Sequence, residues 1–187
     1  MTGYWLKATL LLLVTLPAAL AQQQSEYVQM SSGQIKALSS QQIEDLRNGR
    51  GMGLSLPAEL NSTPGPLHVL ELRAVLQVSD AQARELEGII ASMKARAQNL
   101  GIEVIETERA LDLGFATGAL DEAGVEKLTQ RIASLVGRLR AVHLNAHLET
   151  KRLLSPAQIS AYDLARGYTL QAAERIPNFI HPPKSHH

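Results

Sequence analysis

Two histidines stand four residues apart in His143-Leu-Asn-Ala-His147, and the chain then enters Leu153-Leu-Ser-Pro-Ala-Gln158. Residues at i and i+4 of a helix lie one above the other on the same face. Two imidazoles at that spacing can be bridged by one metal ion. Ser155-Pro156-Ala157-Gln158 reads as a helix start, with Ser at the N-cap, Pro at the first helical position and Gln placed to reach back. The candidate ligand pair therefore precedes a sharp corner between two helices. His143 also falls seven residues after Val136 and four after Leu139, at the edge of an apolar stripe. Hydrogen-bonded packing is the competing role for an imidazole there.

Other chemistry-bearing residues point less far. Met93 fits a core stripe, and Met30 and Met52 lie in weakly ordering sequence, so packing outweighs soft-metal ligation for all three. His181, His186 and His187 lie in a Pro-rich tail suited to weak metal pickup rather than a formed site. Arg131, Arg138, Arg140 and Arg152 read as a solvated helix face with paired charges rather than a site for acidic or unfolded clients. Asn61-Ser62-Thr63 matches a glycosylation sequon, a pattern common by chance, and carries no assigned role. There is no His-Glu-x-x-His, no Gly-x-Ser-x-Gly and no phosphate-cradling loop, so the sequence argues against an enzyme.

The elements that must position the histidines are helical. Pro66 suits a first turn, with Leu67, Leu70, Leu72, Val75 and Leu76 after it. Ser79-Asp80-Ala81-Gln82 is a second Ser-x-x-Gln capping box. Beyond it Leu86, Ile89, Ile90, Met93, Ala97, Leu100, Val104 and Leu111 recur at spacings of three and four. That periodicity predicts an amphipathic helix to about Leu113, roughly 50 Å long at 1.5 Å per residue. Gly114 and Thr117-Gly118 end it, and Asp121 caps a second long helix that runs through both histidines to about Leu154. A last helix runs from Pro156 to about Arg166. A short one is expected from about Gln41 to Asn48, capped by Ser40.

No segment alternates long enough for a strand. The expected fold is all-α: an antiparallel long-helix hairpin flanked by short helices. Two long helices bury only one seam, so a dimer, or an apolar face open to a partner, is expected as well. The two capping boxes open and close the hairpin at equivalent places, as a weak internal repeat would; a common cap used twice is the alternative.

Four regions follow. Residues 1–21 read as a secretory signal, with Lys7, an apolar run over 8–16 too short to span a bilayer, and Ala19-Leu20-Ala21 at the cleavage point. Residues 22–65 are polar and largely irregular, 66–168 form the hairpin domain and 169–187 a tail. Among 187 residues there is no cysteine, which excludes disulfides, thiolate metal sites and cysteine nucleophiles. Eighteen basic residues face 18 acidic ones, so nothing points to nucleic acid or a polybasic membrane patch. The only Trp, Trp5, lies in the signal, which leaves few rings for an aromatic ligand cleft.

The signal, the polar N-terminal region, the hairpin and the paired boxes Val78-Ser79-Asp80-Ala81-Gln82 and Leu154-Ser155-Pro156-Ala157-Gln158 together resemble the Spy/CpxP family of bacterial periplasmic proteins. That family carries Leu-Thr-x-x-Gln twice; the first copy is degenerate here and the second has Ser for Thr. Tyr162-Asp163 also matches the family's continuation. The resemblance covers about residues 66–168. It implies a periplasmic location, a homodimer and an envelope-stress role, either as a heavy-metal sensor or metal binder or as an ATP-independent chaperone for unfolded clients. A structural adaptor docking on a membrane-bound signalling partner is a third implication. Among the CnrX-like sensors, one His before the first motif joins a His-x-x-x-Met pair before the second. His68, His143 and His147 take those places, with His147 at the Met position. The sensors' other His is Leu72 here, and their Glu ligand has no clear counterpart. Three imidazoles would suit a divalent transition metal: zinc, nickel, cobalt or copper.

Overall fold

A computed structural model of the chain describes residues 27–28 and 31–168. The expected signal (1–21) and tail (169–187) lie outside them. The described chain is mostly helical, with no strand. Its helices are α1 (Ser40–Asn48), α2 (Leu56–Glu59), α3 (Pro66–Glu71), α4 (Asp80–Thr117), α5 (Glu122–Leu153) and α6 (Pro156–Ala165). None is long and apolar enough to cross a membrane.

α4 and α5 make the principal packing contact. Arg131 of α5 reaches Glu103 of α4 at 2.9 Å, and Gln82 at the start of α4 reaches the Leu153 carbonyl at the end of α5 at 2.7 Å. Numbers thus fall along one helix as they rise along the other. One core cluster joins Leu100, Val104 and Ile105 of α4 to Leu135, Leu139 and Val142 of α5, and α1 closes it with Ile43 and Leu46. A second cluster, at the other end, gathers Val69, Leu76, Val78, Leu86, Leu154 and Tyr162. The apolar spacings are therefore filled twice over, at a middle layer and at the corner beside α6.

The ends of the helices follow the cap chemistry. α4 runs four residues beyond the expected Leu113, because Gly114 sits under the Leu120 side chain inside the helix and Gly118, at φ 66°, supplies the left-handed C-cap. α3 stops at Glu71 rather than continuing to Leu76. The chain turns through 72–77, with Gln77 at φ 50°, and this brings Leu76 and Val78 into the second core cluster. α1 is capped by Ser39, one residue before the expected Ser40, because Gln42 returns the reciprocal bond. Ser39-Ser-Gln-Gln42 is thus a third Ser-x-x-Gln box. α2 is a single turn inside the region read as irregular.

The capping boxes that open α4 and α6 lock together. Gln82 Oε1 accepts from Ser79 N and Gln158 Oε1 from Ser155 N, closing each box. The two amide groups then pair with each other at 3.1 and 3.2 Å. Each Nε2 also donates to a carbonyl preceding the other box, Gln82 to Leu153 O and Gln158 to Leu76 O. Both hydrogens and both lone pairs of each amide are used. Gln82→Ala and Gln158→Ala should each cost about 2 kcal/mol, since each removes a cap bond and leaves half-buried partners unpaired. The double variant should cost less than the sum, a coupling of about 1 kcal/mol read by urea denaturation.

Candidate functional site

α5 carries both motif histidines on its inner face, where they are 3% and 7% exposed. The reason is periodicity: Leu139, Val142 and Ala146 face the core and His143 and His147 lie on the same stripe. The segment between α1 and α3 covers them. A Cβ placed on Gly51 would lie 3.7 Å from His143 Nδ1, and Gly65 lies against the His147 ring.

The two rings differ in their partners. His147 Nδ1 stands 2.7 Å from the Thr63 carbonyl oxygen. A carbonyl only accepts, so Nδ1 carries the proton and the lone pair of the neutral ring is on Nε2. His143 Nε2 is fully buried and has no hydrogen-bond partner. Burial lowers the His143 pKa below its ordinary value of 6.5, and the neighbouring His147 pushes it the same way. Folding therefore keeps this imidazole neutral, the form that ligates metal.

A pH dependence follows. Below pH 6.5 the unfolded chain binds a proton at His143 that the folded chain does not yet bind, so stability rises with pH in that window and is lost as pH falls through it. The urea midpoint should fall between pH 7 and pH 5, and His143→Gln should flatten the fall. An equal slope in the variant would remove His143 as its source.

No local signal singles out Glu59, yet it is a hub of this corner. It is 6% exposed, and it sits on the one-turn α2. Its Oε1 accepts the hydroxyls of Tyr162 and Tyr168, the second at 3.0 Å, and lies 3.6 Å from Arg166 Nε. Its Oε2 accepts from Gly65 N at 3.3 Å and is 3.8 Å from His147 Nδ1. Burial, and then the bond to Glu59, push the Tyr162 pKa well above its usual value. The corner thus ties α2, α5 and α6 together through one carboxyl group. A lone Glu in Leu-Pro-Ala-Glu-Leu has no periodicity or motif that could have marked it.

His68 stands apart from the other two predicted ligands. It lies on the short α3 with 38% of its side chain exposed, and its Nδ1 is 2.7 Å from Glu71 Oε2. Among the described residues no three His, Asp or Glu side chains gather closely enough to hold a metal ion; His143 and His147 stand one helical turn apart on α5, and the expected grouping of both with His68 is not formed. The donors at the corner still suit a divalent transition metal in kind: a buried imidazole nitrogen lacking a partner, and a second whose tautomer leaves Nε2 free to ligate. His181, His186 and His187 lie outside the described residues.

No family model matches the chain, and no curated protein or solved structure matches it.

Proposed function

We propose that the chain is a periplasmic envelope-stress protein of the Spy/CpxP kind that binds a divalent transition-metal ion through His143 and His147. The single observation carrying this reading is the buried, unpartnered Nε2 of His143, one helical turn from an imidazole whose lone pair is on Nε2. A buried polar atom without a partner costs about 1–3 kcal/mol. A ligand that supplies that partner recovers this cost. The Thr63 carbonyl orients His147, as backbone carbonyls commonly orient metal-ligating histidines. A bound ion would supply positive charge on α5 beneath the segment between α1 and α3 that covers the two rings. In this reading α4 and α5 form the arms of a hairpin, and the ion biases how the N-terminal segment lies on them.

Calorimetry with zinc, nickel, cobalt and copper tests this. The tail histidines are first replaced (His181→Ala, His186→Ala, His187→Ala) so that only the corner reports. One ion per chain is expected, with affinity falling roughly 100-fold or more in His143→Ala/His147→Ala. His68→Ala should leave affinity unchanged. No binding to any of the four metals, or equal binding by the double variant, contradicts the reading.

One observation favours a second reading, an ATP-independent chaperone. Large apolar side chains stand in solvent along the long helices, among them Ile102, Leu113, Phe115 and Val136. Such side chains can hold aggregation-prone clients. Suppression of client aggregation without added metal, lost on replacing Leu113 and Phe115 with Ser, would support this reading.

A further inference from the structure

We propose that the α4–α5 pair carries, on the side where α1 packs, a docking site for an extended segment of a partner protein in which an aliphatic residue is followed by a basic one. Ile35-Lys36 of this chain occupies that site in cis. Residues 31–38 precede α1 and lie outside every helix. Ile35 is 0% exposed, while its neighbours Gln34, Lys36 and Ala37 stand in solvent. It belongs to the core cluster that α4 and α5 build with Val104, Ile105 and Leu135, and Leu38 packs against the same cluster. Lys36 Nζ donates to both carboxylate oxygens of Asp112 on α4, at 3.0 and 3.1 Å. Asp112 comes seven residues after Ile105, about two turns on, and so shares its face. One notch for an aliphatic side chain and one carboxylate for a cation make a two-point code.

The segment is held by side chains. Among the described residues its backbone hydrogen bonds are local, Ser31 N to Val28 O and Leu38 N to Ile35 O, and none joins it to α4 or α5. α1 differs. Gly49 and Gly101 bring its backbone against that of α4, and Ser39 and Gln42 close its capping box without help from 31–38. The stretch before Ser39 can therefore leave while α1 stays. An apolar anchor in a pocket, flanked by a charge at the rim, is how one segment recognises a surface. Here the ion pair is solvent-exposed on the lysine side, so the anchor carries the affinity and Asp112 selects the residue after it. Attachment to the chain gives Ile35-Lys36 a high effective concentration, and a segment of the same chemistry in trans competes for the same two points. The site is independent of the metal reading, and its test uses metal-free protein.

The peptide Ser-Ser-Gly-Gln-Ile-Lys-Ala-Leu, the sequence of 31–38, is titrated into the parent protein and into Ile35→Ala/Lys36→Ala, with binding read by NMR shifts and folding by circular dichroism. The variant should bind it roughly 10-fold or more tightly than the parent, where the cis segment competes. Ile35→Ser in the peptide should weaken binding roughly 10- to 100-fold, and Lys36→Glu in the peptide about two- to five-fold. Lys36→Glu in the protein keeps the buried Ile35 and gives a second route. It should speed amide hydrogen exchange over 31–38 about two- to five-fold, and adding Asp112→Lys should restore the parent rate. Equal peptide binding by parent and variant, or binding unaltered by Ile35→Ser in the peptide, overturns the proposal. So does unchanged exchange over 31–38 in Lys36→Glu. A dimer made by exchanging 31–38 between two copies, which excess peptide does not dissociate, overturns it as well.

Discussion

Gly101→Ala should destabilise the protein by about 3 kcal/mol or more, although alanine is normally the better helix residue. Gly101 lies in the interior of α4, where α1 crosses it. A Cβ there would stand 2.8 Å from the Leu46 carbonyl carbon and 3.1 Å from its Cα, and closer still to the carbonyl oxygen. These are backbone atoms, so no rotamer change relieves the clash. Gly49 makes the reciprocal approach: at φ 64° it caps α1, and a Cβ on it would be 2.9 Å from the Lys94 carbonyl oxygen. The two helices meet backbone to backbone, and adding one methyl group must separate them. Gly88 and Gly137 provide the control. Nothing lies within 4 Å of a Cβ at either position, so each Gly→Ala should stabilise by about 0.5–1 kcal/mol. Urea denaturation of the three variants measures the contrast. A stabilised Gly101→Ala would mean that α1 does not pack on α4 in this way.

Tyr162→Ala should cost about 4 kcal/mol, as truncation of a large buried ring does. Tyr162 is fully buried in the second core cluster, and its hydroxyl donates to Glu59. Two losses combine: the cavity among Val69, Leu86 and Leu154, and the bond that anchors α2 to α6. Tyr162→Phe separates them. It keeps the ring and should cost about 1.5–3 kcal/mol, the range for a hydrogen bond to a charged group. Denaturation without metal gives both numbers. A Phe variant as stable as the parent would show that the Glu59 bond contributes nothing to folding.

What could be read from the residues was local. Ser-x-x-Gln is a short-range device, so the starts of α4 and α6 were legible, as was Asp121, which accepts from Gly124 N at the start of α5. Period-3.6 apolar spacing marks the long helices and places His143 at the stripe edge, where it is buried, as is His147 one turn on. The Ser39 cap was missed by one residue because Ser40 is an equally good cap type, and only the reach of Gln42 distinguishes them. Residues 22–65 looked irregular, yet Ile35, Ile43, Leu46, Glu59 and Thr63 are buried. Their burial depends on the surface that α4, α5 and α6 offer, and periodicity within so short a stretch does not report it. The same holds for the corner: Glu59 and Tyr162 lie 103 residues apart, and no local signal pairs them. His68 matches a family position by spacing alone, and spacing does not report that Glu71, three residues on, lies against its ring.

Anomalous diffraction from zinc-loaded crystals, recorded above and below the zinc edge, tests the central claim most directly. The account predicts one strong peak per chain bonded to Nε2 of both His143 and His147. A peak only at His68 with Glu71, or none within bonding distance of the two α5 histidines, would contradict it.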